Sequence, residues 1–171
     1  MTLTSKKLNE SFYCKDVLQV APALIGKFLV VKNDHKTHNI MITEVEAYRG
    51  EEDLACHASK GRTSRTEVMY HPGGKIYVYL IYGMYWILNF VTGKVDDPQA
   101  VLIRGIEGFD GPGKLSRELQ IDGTFYGENL CHSDRIWVED RNYTAEIKTS
   151  ARIGIEYAGE PWISKPWRFF I

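Results

Sequence analysis

Cysteine is scarce in this 171-residue chain, and the three present, Cys14, Cys56 and Cys131, lie far apart and never form a CxxC. An odd number at such spacing argues against a disulfide framework and against a zinc or iron–sulfur site, leaving free thiols as the expectation. Long apolar runs are absent as well. No stretch reaches the roughly 18 residues that a spanning helix needs, and the opening MTLTSKKLNESFYCK lacks the apolar segment of a secretory signal. A cytoplasmic protein with no membrane association is therefore expected. Nor is there a surplus of basic charge: 21 Lys and Arg against 22 Asp and Glu give a formal net charge of -1. The composition thus carries no overall electrostatic footprint for nucleic acid. No repeat, low-complexity tract or flexible linker divides the chain, and no GxGxxG, P-loop, HExxH, GxSxG or Ser/His/Asp signature occurs. No metal or cofactor is expected.

What is present is an ordinary globular composition, 44% hydrophobic and 25% charged, enough for one domain over residues 1–171 with a real core. A helix is predicted from Asp16 to Ile25, stopped by Gly26 and disturbed by Pro22. KFLVVK (27–32) and NIMITEVEAY (39–48) read as strands paired through the Asn33–Asp34 turn. Residues 49–65 form a long irregular connection with a helical turn in EEDLACH, and loops of that length are often functional. KIYVYLIY (75–82) and WILNFV (86–91) are strands around a Gly83–Met84 tip. AVLIRG (100–105) adds a strand, GKLSRELQ (113–120) a helix entered through Gly111-Pro112-Gly113, and IWVED and the segment around ARIGI late strands. Strands adjacent in sequence without crossover helices predict an α+β fold. It is one compact domain on a mostly antiparallel, curved sheet, with flanking helices and a protruding aromatic β-hairpin.

Period-two alternation places Ile40, Ile42, Glu44, Glu46 and Tyr48 on one strand face and Met41, Thr43, Val45 and Ala47 on the other. Two carboxylates sharing a face fit either a solvent-facing strand end or acid–base chemistry. Tyr77, Tyr79, Tyr82 and Tyr85 crowd nine positions of one hairpin, and Tyr82 falls at the tip, where its ring would project. Such rings are most often packing, yet stacking on bases or wedging between them is a recurring device of nucleic-acid enzymes. Basic groups gather in HASKGRTSR (57–65) and GKLSR (113–117), and GPGKL would offer backbone amides and Lys114 at a helix start.

TEVEAY (43–48), EEDLACH (51–57), GRTSR (61–65), YVYLIYGMYWILN (77–89), VLIRGIE (101–107), GPGKL (111–115) and ARIGI (151–155) together, in this order, resemble the alkyladenine DNA glycosylase family. The resemblance runs from about residue 11 to the end. It implies that Glu46 is the general base that activates water, and that Arg104 and the carbonyl of Ile153 hold that water. Tyr48, His57 and Tyr79 would wall a pocket for a flipped-out purine. Asn89 would obstruct the amine of normal guanine, Tyr82 would fill the hole left in the duplex, and Met69 would touch the minor groove. Arg62, Arg65 and Lys114 are the candidates for phosphate contacts. Double-stranded DNA with damaged purines is the implied partner and a monomer the default, since one small site on a long duplex needs no symmetry mate.

The chemistry fits the resemblance. Cleaving a purine glycosidic bond builds oxocarbenium character that a carboxylate both stabilises and complements by taking water's proton. No lysine falls at the pocket positions, so a Schiff base and strand cleavage are not expected. In two places the sequence departs from the family: the usual Pro-Arg-Asn is Ser64-Arg65-Thr66, expected to loosen that turn, and the usual segment after the strand resembling KPWRFFI is missing beyond Ile171, expected to lower stability. Two other readings fit the residues less well. A non-catalytic nucleic-acid-binding module of the same fold has no use for a buried carboxylate beside phosphates. A carbohydrate hydrolase using Glu44 and Glu46 would need a carboxylate separation that positions i and i+2 of a strand do not supply.

Overall fold

The β-branched and aromatic runs of the sequence become strands of a ten-stranded sheet in which every pairing is antiparallel, in a computed structural model that describes residues 5–171. The strands are β1 (Lys6–Lys7), β2 (Phe28–Lys32), β3 (Thr37–Arg49), β4 (Ile76–Ile81), β5 (Tyr85–Thr92), β6 (Gln99–Ile106), β7 (Phe109–Asp110), β8 (Ile136–Asp140), β9 (Lys148–Ser150) and β10 (Arg168–Phe170). Their order is β1-β8-β2-β3-β6-β5-β4; β7 pairs with β6, and β10 joins β3 to β9. Three short helices, α1 (Glu10–Tyr13), α2 (Val17–Leu24) and α3 (Pro112–Glu118), pack beside the sheet. The predicted α+β class holds.

The thirteen-residue β3 is the spine. Its first part pairs with β2 from Thr37↔Lys32 to Met41↔Phe28, and its second with β6 from Ile42↔Ile106 to Arg49↔Gln99. Between these parts the register slips at Glu44, a β-bulge that breaks the simple alternation read from the sequence. Ile42 therefore joins Val45 and Ala47 in the main core rather than sharing a face with Glu44, Glu46 and Tyr48. The bulge turns one long apolar strand into an anchor at one end and a carrier of polar side chains at the other.

Helix α2 begins where predicted because the Asp16 carboxylate accepts from the Leu18 amide at 2.9 Å. It ends within a turn of Pro22, with Gly26 at φ +81 past its end. Its Val17, Val20, Ala21 and Leu24 are fully buried against the sheet, each of the larger ones stabilising by roughly 1.5–3 kcal/mol. Helix α3 is entered through Gly111 and Pro112 as expected and buries Leu115.

Two local predictions are corrected. ARIGI is not a strand: β9 stops at Ser150, and residues 151–155 form an irregular segment with Gly154 at φ +74. The helical turn placed in EEDLACH lies one step later, as a 3-10 turn over His57–Lys60. The first departure has a side-chain cause, the Arg152–Asp53 pair; the second turn is closed by its own backbone, Ser59 N–H to Cys56 O at 3.0 Å and Gly61 N–H to Ala58 O at 2.9 Å.

Gly73 marks the tightest approach in the fold. Its N–H donates to Gly93 O at 3.0 Å, Gly93 N–H donates to Tyr13 O at 3.0 Å, and a Cβ on Gly73 would meet Tyr13 O at 2.2 Å. Gly73→Ala must push three backbone segments apart, and a loss of about 2–3 kcal/mol is expected in urea unfolding. An unchanged midpoint would show that this junction is looser than its geometry.

Candidate active site

Beyond the bulge, β3 places Tyr48 in the wall of a cleft lined also by His57, Tyr77, Tyr79, Asn89 and Tyr157, with Glu46 buried behind Tyr48. The aromatic walls brace one another. His57 and Tyr79 meet edge to face at 4.6 Å, Tyr77 and Tyr79 lie 5.4 Å apart, and the Tyr77 hydroxyl is 2.8 Å from His57 Nδ1. Burial, with the nearby positive charge of Arg65, lowers the His57 pKa to about 4. The imidazole is thus neutral at physiological pH and adds no positive charge to the cleft. Asn89 is buried and donates from Nδ2 to the carbonyls of Tyr77 (3.2 Å) and Ile87 (3.3 Å). Its Oδ1 has no protein donor among the described residues.

Glu46 is wholly buried. One carboxylate oxygen accepts from the Tyr48 hydroxyl at 2.7 Å, the other from the Ile153 amide at 2.7 Å, and Arg104 Nε lies 3.8 Å from the latter. Burial pushes its pKa up; Arg104, the Ile153 amide, the Tyr48 hydroxyl and Arg152 pull against that. A carboxylate poised in this way can take a proton from water. Ile153 therefore meets Glu46 through its N–H, where the sequence suggested a role for its carbonyl. Arg104 divides itself between two acids, with its Nε donating to Glu44 at 3.0 Å.

The segment 151–155 is irregular because Arg152 anchors it. Its guanidinium makes two bonds to Asp53 at 2.6 and 2.9 Å, with both side chains fully buried, and donates to Ala47 O at 2.9 Å. It also stacks 4.8 Å from the Tyr48 ring. Asp53 further accepts from the amides of Arg49 and Ala55, tying the end of β3 to the loop that follows it. Arg152, Asp53 and Arg168 build the site without being singled out in the sequence, where Glu44 figures only as the carboxylate beside Glu46. The available signal was a charged residue inside an otherwise apolar or small-residue block, as in ARIGI.

At the other end of β4, the hairpin tip holds Tyr82 at φ +51 and Gly83 at φ +64, closed by Met84 N–H to Ile81 O at 3.1 Å. A non-glycine residue there is strained by about 1–2 kcal/mol, and the turn leaves Tyr82 88% exposed. Three predicted contacts need correction or refinement. Met69 is only 1% exposed and lines the cleft, so it is no surface contact; among the described residues the exposed methionine is Met84, at the tip. Arg62, about half exposed, pairs with Glu67 and Asp96 at 2.7 to 2.9 Å. Arg65 lies 5.0 Å over Tyr79, at the cleft, and Lys114 is exposed on α3. The loosened turn expected at Ser64-Arg65-Thr66 is instead tied: Thr66 Oγ1 donates to Gly61 O at 3.0 Å and accepts from Thr63 N–H at 2.9 Å. Among the described residues, no group of three or more His, Cys, Asp or Glu is placed to hold a metal ion, and no helix is long and apolar enough to cross a membrane.

The class to which this sheet and cleft belong is that of the DNA glycosylases, hydrolases of N-glycosyl bonds. A family model described as methylpurine-DNA glycosylase matches residues 11–110 and 108–171, and the chain belongs to that family. It is 40% identical to a protein of Psychrobacter cryohalolentis over 96% of this chain and 91% of that one. It is 41% identical to one of Clostridium novyi (97% and 95%) and 43% identical to one of Methanocella arvoryzae (95% and 91%). Each of these is described as "Putative 3-methyladenine DNA glycosylase".

Burying Glu46 has a testable cost. As pH rises from the ordinary carboxylate pKa through the raised folded one, the unfolded chain sheds its proton first, so the folded state loses stability across that window. Glu46→Gln should therefore melt higher than the wild type at pH 8, by about 2–4 °C for each kcal/mol, with the gain shrinking as the pH falls toward the ordinary carboxylate range. A variant melting lower at pH 8 would mean that the ionised carboxylate stabilises the fold.

Proposed function

We propose that the protein is a monofunctional DNA glycosylase of base excision repair. It flips alkylated or deaminated purines out of duplex DNA and hydrolyses the N-glycosidic bond with water activated by Glu46. The observation that carries this proposal is a fully buried carboxylate of raised pKa, joined through Tyr48 to a cleft with aromatic walls. A non-catalytic binding module would gain nothing from burying that charge, whose desolvation its partners only partly offset.

In this mechanism the flipped base stacks between Tyr48 on one side and His57 and Tyr79 on the other. 3-Methyladenine and 7-methylguanine carry positive charge, so electron-rich tyrosine faces and a neutral His57 favour them, and they leave as neutral bases. Hypoxanthine and etheno-adenine are neutral and would react more slowly without protonation. Glu46 takes the proton of a water that attacks C1′ on the face opposite the departing base, while its negative charge, kept in place by Arg104 and the Ile153 amide, stabilises the oxocarbenium-like sugar. Asn89 screens exocyclic groups from the floor of the cleft. Tyr82 fills the vacated space in the duplex, offsetting part of the few kcal/mol that flipping costs. Arg65 and Lys114 meet phosphates. With no lysine at the cleft, no Schiff base forms and the product is an intact strand with an abasic site. The enzyme acts as a monomer in the cytoplasm, on the nucleoid.

The test is incubation of wild type and Glu46→Gln with methylated duplex DNA, with released bases and strand breaks assayed separately. Wild type should free 3-methyladenine or 7-methylguanine and leave breaks that appear only after alkali. Glu46→Gln should still bind the lesion while turnover falls by about 100-fold or more. Wild-type turnover in the variant would remove Glu46 as the base, and breaks without alkali would contradict monofunctional chemistry.

A further inference from the structure

Glu44 and Arg168 take no part in the chemistry proposed above, yet they adjoin Glu46 through the shared Arg104. Glu44 sits at the β-bulge, opposite Gly105, where a Cβ would come within 3.1 Å of the Glu44 Cβ; the glycine makes room for the acid. One Glu44 oxygen accepts from two guanidinium groups, Arg104 Nε at 3.0 Å and Arg168 Nε at 2.5 Å. Arg168 comes from β10, in register opposite Glu46, and is itself oriented by a 2.9 Å bond from its NH1 to Ser150 Oγ on β9. Two acids thus share Arg104, and Arg168 supplies the second positive charge that balances them.

From this arrangement we propose that Arg168 is a positioning residue. By pairing with Glu44 it leaves Arg104 available to Glu46. The inference rests on Glu46 being that base. Without Arg168, Glu44 would draw Arg104 wholly to itself and leave Glu46 without its nearest cation, which favours the protonated, inactive acid. The remaining groups facing Glu46 do not substitute. Tyr48, Tyr79 and Tyr157 are neutral phenols, Ile153 offers only its amide, and Arg152 is held by Asp53.

The experiment is the pH dependence of single-turnover release of 7-methylguanine from duplex DNA. The cationic base needs no protonation, so the acid limb reports the general base. Arg168→Met should move the acid limb up by about one pH unit, with the rate recovering to within a few-fold above it, and Arg168→Lys should restore the wild-type position. Glu44→Gln, which releases Arg104, should move the limb down, and the Glu44→Gln/Arg168→Met pair should return close to wild type. If Arg168→Met does not fold, the downward shift in Glu44→Gln carries the test, since that variant leaves no unpaired carboxylate. A uniform rate loss at all pH values in Arg168→Met, or an unmoved limb in Glu44→Gln, would overturn the proposal. A Glu46→Gln control that keeps the wild-type rate would instead overturn the assignment of the base.

Discussion

The arrangement depends on keeping an ionisable carboxylate, Glu46, out of water and still usable. A buried charge is tolerable only when partners replace its hydration, and here two hydrogen-bond donors and a nearby cation come from three separate parts of the chain. Tyr48 is on the same strand, Arg104 is on β6, and the Ile153 amide is in the segment after β9. The bulge in β3, the glycine at 105 and the irregular course of residues 151–155 all follow from bringing these groups to one point. Part of the burial cost remains unmet, which is why the carboxylate stays raised in pKa and proton-accepting.

Around that centre the protein uses charges in matched, buried pairs. Asp53 and Arg152 lock the 151–155 segment and press a guanidinium against the outer face of Tyr48. Glu44 and Arg168 do the corresponding work on the side of β10. These pairs hold geometry more than they add stability, because well-packed apolar groups could stabilise the fold as much. The cleft itself is neutral and aromatic, and the exposed Tyr82 at the strained hairpin tip lies outside it, so the parts suited to a base and to a duplex are carried by the two ends of one hairpin.

Much of this was legible in the sequence. The strands at 28–32, 76–81, 85–92 and 99–106 follow from runs of Val, Ile and aromatic residues, and the entry to α3 from Gly111-Pro112. Glu46, Tyr48, His57 and Tyr79 could be picked out because seven blocks in order are specific where any one is weak. What escaped prediction depends on contacts distant in sequence. A bulge is invisible to period-two counting, so Ile42 was placed on the wrong face. The Arg152–Asp53 pair spans 99 residues and converts an expected strand into a loop. Met69 and Met84 look alike as sequence; only their burial separates them. Arg62 reads as a free cation until Asp96, 34 residues away, is found beside it.

The central claim, that Glu46 delivers water to C1′ from the face opposite the base, is tested most directly by running turnover in a water–methanol mixture and analysing the sugar product. Methanol in the water site should yield a methyl 2-deoxyriboside of inverted, α configuration beside the abasic site, with both products missing in Glu46→Gln. A β-configured glycoside, or a covalent protein–DNA adduct trapped by borohydride, would contradict the account.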